Sequence, residues 1–303
     1  MNQGLCLQGW ELDALLEREW LTANGIGGYA SSTIPGLNTR KSHGLLVAAM
    51  APQRQMVLLS RVEESLWCAG QRYDLDCNEY PGVIYPQGHR HLREFHDGTC
   101  PRWIYQGEGW RLEKRLTLIQ GANTVVIAYK LLEGEQANFQ VRPLMSLRVV
   151  DDLTYQFNGR LRVEDRDERH HRVAATSKTP EVFFAHDGTF ETCPDWYLNQ
   201  IYRQEQERGN AGLEDLWTPG AVRFHLAIGK QARFACSADP IDLRKMKVGG
   251  TQGRALDSAT VRRRSRVKRV VRDVRSDAQA GPSAKDCGPR RERDVPLPSG
   301  QTT

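Results

Sequence analysis

Trp110-Arg111-Leu112-Glu113-Lys114-Arg115-Leu116-Thr117-Leu118-Ile119 decides the fold class. Its even positions carry Trp, Leu, Lys, Leu and Leu; its odd positions carry Arg, Glu, Arg, Thr and Ile. Successive side chains of a strand point to opposite faces, so this period of two predicts a strand with one buried face. Outward along the chain the pattern returns. Phe139, Val141, Pro143, Met145, Leu147 and Val149 alternate with mostly polar neighbours, and Val222, Phe224, Leu226 and Ile228 do the same. Residues 44–50, 56–62 and 123–132 are more continuously apolar, as central strands covered on both faces are. Turn signals separate these runs, so the chain predicts a sandwich of antiparallel sheets, an all-β supersandwich.

One segment reads as a helix. Asp195 is placed to cap it, residues 196–208 lack Gly and Pro, and Gly209 stands where a C-cap glycine belongs. Asn24-Gly25-Ile26-Gly27-Gly28 has the spacing GxGG rather than the GxGxxG of a dinucleotide loop, and no βαβ pattern surrounds it. Its glycines read as a tight turn. Residues 165–171 read as an exposed loop, and His89 and His91 as alternating on a strand with Arg93.

Composition bounds the function. The chain has 303 residues, too few apolar in any one run to span a bilayer, and no basic stretch followed by an apolar stretch at its start. The seven cysteines are widely spaced, without a CxxC pair, which argues against a disulfide framework or a zinc knuckle and fits a cytoplasmic protein. No cofactor is expected. Charge is uneven: residues 1–243 hold 26 Lys/Arg against 31 Asp/Glu, whereas residues 244–303 hold 16 against 6. The second part, with the cluster Arg262-Arg263-Arg264-Ser265-Arg266-Val267-Lys268-Arg269 and no aromatic residue, reads as a disordered basic tail. Such a tail binds phosphate backbones unspecifically at best, since it offers no stacking platform. Its abrupt onset near Lys245 suggests a frameshift or a truncated gene. Two regions follow, a sandwich over 1–243 and the tail over 244–303.

Glu19-Trp20-Leu21-Thr22-Ala23-Asn24-Gly25-Ile26-Gly27-Gly28-Tyr29 continues through Gly36-Leu37-Asn38-Thr39-Arg40-Lys41-Ser42-His43-Gly44 and on to Val57–Glu64. A second block holds Trp196-Tyr197, Tyr202, Glu205, Arg208-Gly209 and Glu214-Asp215-Leu216-Trp217-Thr218-Pro219-Gly220. Together they resemble the N-terminal region of the bacterial and archaeal type of glycogen debranching enzyme, over roughly residues 15–240. The resemblance implies a large β-sandwich that packs on a C-terminal (α/α)-barrel. That barrel holds the acid and base that release α-1,6-linked glucose at glycogen branch points. The tail does not look like such a barrel, so this chain is expected to be a non-catalytic half whose partners are the barrel and glycogen or another α-glucan. Two departures are expected to weaken any substrate-facing surface: Ser42 stands where the family usually has Tyr, and Arg148-Val149-Val150-Asp151 where it tends to have Arg-Asp-Tyr-His.

Candidate residues for substrate binding or a domain interface are Asn38, Thr39, Arg40 and His43, at the mouth of a buried strand, and Trp196, Glu214, Asp215 and Trp217 in the second block. Sugars stack on aromatic faces, and carboxylates accept from hydroxyls; equally, aromatics fill cores and buried polar groups hold corners. Hydrolysis of a glycosidic bond needs two carboxyl groups flanking it. The adjacent pairs Glu63-Glu64, Asp151-Asp152 and Glu214-Asp215 point to opposite faces of a strand, so none is expected to form one catalytic site. Separate use as a glucan-binding module, or nucleic-acid association through the tail, are the alternative roles.

Overall fold

The computed structural model describes residues 5–246, apart from 8, 51–53, 158–160, 175 and 177–178. The expectations for the basic tail fall beyond residue 246 and lie outside the described residues. The strands, in chain order, are β1 (Leu5–Cys6), β2 (Glu19–Ala23), β3 (Tyr29–Thr33), β4 (Gly44–Met50), β5 (Arg54–Cys68), β6 (Gln71–Asp74), β7 (Cys77–Tyr80), β8 (Val83–Gln87), β9 (Leu92–His96) and β10 (Arg102–Gly107). They continue as β11 (Trp110–Leu118), β12 (Thr124–Glu133), β13 (Gln136–Val149), β14 (Val163–Asp165), β15 (His170–Val173), β16 (Val182–His186), β17 (Thr189–Ile201), β18 (Leu213–Ala227) and β19 (Gln231–Ser237). Two one-turn helices, α1 (Leu12–Leu16) and α2 (Arg203–Glu207), interrupt them.

A nine-stranded sheet runs β1-β9-β10-β11-β12-β19-β16-β15-β14, and an eight-stranded sheet holds β17-β18-β13-β5-β4-β3-β2 with β6 on β5. The described ladders are antiparallel. Inward residues of both sheets share one core: Trp110, Leu112, Leu116 and Tyr129 from the first meet Leu66, Phe139, Val141 and Phe224 from the second. Tyr129 and Phe139 lie 4.6 Å apart across the layers, and Trp20 and Trp103 lie 5.2 Å apart. The alternation of residues 110–118 is therefore the inner and outer face of β11. Lys114, the polar residue among its inward positions, is paired between the sheets with Glu64, 2.7 Å away. Tyr129 also donates to Glu64, at 2.5 Å.

The Asn24–Gly28 segment is a turn. The Asn24 side chain accepts from the Ile26 and Gly28 amides, at 3.1 and 2.9 Å. Gly25 and Gly27 have φ of 82° and 100°, and a Cβ on Gly28 would meet Val47 O at 2.9 Å. Only glycine meets both demands.

Three local expectations are corrected. Residues 196–201 are not helical but finish β17, which pairs with β18 through Trp196↔Trp217 and Tyr197↔Leu216. Pairing along a neighbouring strand overrides the helical spacing there. The helix is confined to α2, and Gly209, at φ 77°, follows its end. Residues 166–169 are the exposed turn that was expected, but Asp165 and His170-His171 belong to the paired strands β14 and β15, and His171 is buried. His89 and His91 lie in a 3-10 turn, Gly88–His91, that precedes β9.

Candidate functional site

The loop between β3 and β4 carries the first group of candidates. Asn38 is buried, accepts from Ser32 Oγ at 2.7 Å and donates to Ser60 O at 3.2 Å. Thr39 is buried; its amide donates to His43 Nδ1 at 3.2 Å, and its Oγ1 has no hydrogen-bond partner. Arg40 donates to Glu19 Oε1 at 2.6 Å, and His43 Nε2 stands 3.5 Å from the same oxygen. Burial raises the Glu19 carboxyl, but His43 and Arg40 outweigh it and hold its pKa at about 2.

The second group converges on Glu214, which is fully buried. It accepts from the Arg148 guanidinium, from the Tyr202 hydroxyl, from Ser146 Oγ at 3.3 Å and from the Thr154 amide at 2.9 Å. Arg148 reaches it through a bulge: the β13 ladder slips between Met145 and Arg148, and Leu147 has φ 55°. A bulky residue in the left-handed region is a local strain that the surrounding structure must fix. Asp215 points the other way and accepts from the Gln156 and Asn199 amides, each at 2.8 Å. Trp217 is buried opposite the half-buried Trp196, which meets Phe157 at 5.3 Å.

The structure brings the two groups together. Arg148 donates to Lys41 O at 2.8 Å, Gln204 to Thr39 O at 3.1 Å, and Lys41 N to Glu205 at 3.4 Å. The two departures from the family pattern are neighbours as well. Tyr29 donates to Ser42 O at 2.8 Å, while Lys41 Nζ donates to Asp151 O at 2.7 Å. Arg148, Tyr202, Glu205 and Glu19, which complete this assembly, were not among the sequence candidates. Tyr202 and Glu205 lie in the second block, where their signal was present.

A further polar cluster, missed from sequence, lies behind β5. Asn78 donates to both Glu63, at 3.2 Å, and Asp76, at 3.0 Å, and accepts from Arg61 at 2.6 Å. The second Arg61 branch donates to Gln200, and Tyr197 hydrogen-bonds Glu63. Burial pushes both carboxyls up, Asp76 well above its usual range. Two carboxyl groups sharing a donor resemble an acid–base pair, but Asp76 is only 7% exposed and Arg61 and Asn78 are buried. Glu64, facing the opposite way, belongs to Lys114. The adjacent pairs 63/64 and 214/215 thus serve different faces, and the buried carboxylates of both groups are held by cations, amides or backbone N–H groups. That arrangement ties a corner of the sandwich together.

Among the described residues no three His, Cys, Asp or Glu gather as metal ligands. No helix among them is long and apolar enough to cross a membrane. The described cysteines are all free.

Solved structures similar to this chain include a GalM/aldose epimerase homologue from C. elegans. It is 12% identical with a TM-score of 0.38, over 72% of this chain and 97% of that one. A protein assigned as a kojibiose phosphorylase, from the human microbiome, is 8% identical with a TM-score of 0.28, over 74% of this chain and 27% of that one. No curated protein matches the chain. The model of the glycogen debranching enzyme N-terminal family matches residues 18–233, which spans both polar groups and the sheets that hold them, and the chain belongs to that family.

Proposed function

We propose that this chain is the non-catalytic sandwich module of an enzyme that hydrolyses the α-1,6-glucosidic branch points of glycogen. It packs on an (α/α)-barrel that carries the acid and the base, and it shapes the cleft of that barrel. The family match over 18–233 carries this reading. The commitment of Glu64 and Glu214 to buried cations supports it, because carboxylates so bound are not poised for proton transfer. The catalytic carboxylates then lie outside residues 5–246. The free, widely spaced cysteines support a cytoplasmic setting.

Release of glucose from a glycogen limit dextrin tests the proposal. The 303-residue chain alone is expected to release none, and addition of a family barrel is expected to restore release. Release by the chain alone would place the chemistry in the sandwich and remove the proposal.

A further inference from the structure

A cleft of about 380 Å³ opens where the β6 strand, the Gly88–His91 turn and the β10–β11 hairpin meet. None of its residues belongs to the groups around Glu19 and Glu214. Two rings form its apolar part: Tyr73 and His91 meet edge to face at 5.4 Å, and Trp110 lies behind both, at 5.1 and 5.7 Å. Exposed planar polar side chains, Gln71, Arg90 and Gln106, stand around them.

One buried donor beside the cleft is left over. The Trp110 indole N–H is buried without a hydrogen-bond partner, and buried donors are seldom left so. It lies against Gly107, a cleft residue: a Cβ there would come 2.4 Å from Nε1. Only glycine at 107 leaves room for the indole to pack against the backbone there.

We propose that this cleft is an α-glucan contact site, separate from the polar groups around Glu19 and Glu214; the proposal rests on the glucan-handling reading above. A pyranose offers C–H faces to rings and vicinal hydroxyls to planar amide and guanidinium groups, which is the mixture found here. A neutral ligand fits better than an anion. Burial and the neighbouring Arg93 hold the His91 imidazole below its usual range, so the ring is uncharged at neutral pH. One branch of Arg93 is already spent on Arg90 O, at 2.7 Å.

Maltoheptaose titrated into the full chain, followed by tryptophan emission and calorimetry, tests it. Saturable binding is expected, and Arg90→Ala and Gln106→Ala are each expected to weaken it about tenfold, the effect of losing a hydrogen bond to a charged or well-placed polar group. Both side chains are exposed, so the melting temperature of each variant is expected to be unchanged. Equal affinity in wild type and variants overturns the cleft, as does binding of inorganic phosphate at Arg90 without binding of maltoheptaose. In either case barrel complementation on limit dextrin is scored separately: its success leaves the module reading standing, and its failure removes that reading too.

Discussion

Glu214→Gln leaves the Arg148 guanidinium buried against a neutral amide. Removing one partner of a buried ion pair costs about 3–5 kcal/mol, because the remaining charge has lost its compensation. The variant is expected to lose that much in urea unfolding, and the double variant Glu214→Gln with Arg148→Met is expected to recover part of it. A loss below about 1 kcal/mol, the range of an exposed pair, would show that Glu214 is not the hub its five donor contacts make it. Sequence located this residue but not its role. The second block placed Glu214 beside Trp217, and the strand period put Glu214 and Asp215 on opposite faces. The partner was invisible, since Arg148 meets Glu214 only because Leu147 adopts φ 55° and shifts the register of β13. Periodicity names the face of a regular strand; it cannot name what a bulge redirects.

At the scale of elements, β14, β15 and β16 form an edge of the nine-stranded sheet around two stacked imidazoles. His171 and His186 lie 2.9 Å apart through their Nε2 atoms, with rings 5.0 Å apart and Phe184 and Phe190 against them. His171 Nδ1 meets Asp165, and His186 Nδ1 meets Gly188 O at 3.1 Å. Only one proton fits between the two Nε2 atoms, so charging both rings turns two N–H groups on each other. Burial, then the charge of His171, lowers the His186 pKa from 6.5 to about 4. A base depressed in the folded state takes up its proton first in the unfolded chain. The stability it carries is therefore complete above pH 6.5 and is lost as pH falls towards about 4. His186→Phe, which keeps the ring stack, is expected to flatten this part of the pH profile in urea midpoints measured between pH 7.5 and 4. A profile parallel to that of the wild type would count against the pair as its source. Nothing in the run 165–171 revealed this, because its charged residues masked a buried histidine whose partner lies on β16. The helix expected from Asp195 failed for a related reason. Local spacing favoured it, but thirteen residues of β17 gain more by pairing with β18, and the helical signal survived only beside Gly209.

For the whole molecule, the sandwich was the most legible feature, because two sheets sharing one core impose the alternation on every long strand. The alternation gives neither the order of the strands nor the surface beyond the core. That surface carries an apolar region near the free edge of the eight-stranded sheet. Tyr155, Phe157, Leu198 and Leu213 are exposed there. Their segments adjoin, since Asp215 ties residues 156 and 199 and Ile201 pairs with Leu213. Exposed apolar surface of this kind often marks an interaction face, and on the proposed module it is the face expected to meet the barrel. Without a barrel the same face is expected to bring copies of the chain together. Static light scattering should show a mass that rises with concentration, and Leu198→Glu with Tyr155→Ser, at two of the more exposed of these positions, should abolish the rise with little change in melting temperature. Addition of the barrel should suppress the association in the wild type as it restores glucose release. A clean monomer at high concentration would remove this face from the interface, and the contact with the barrel would then have to be sought on the polar outer face around Glu63 and Tyr197.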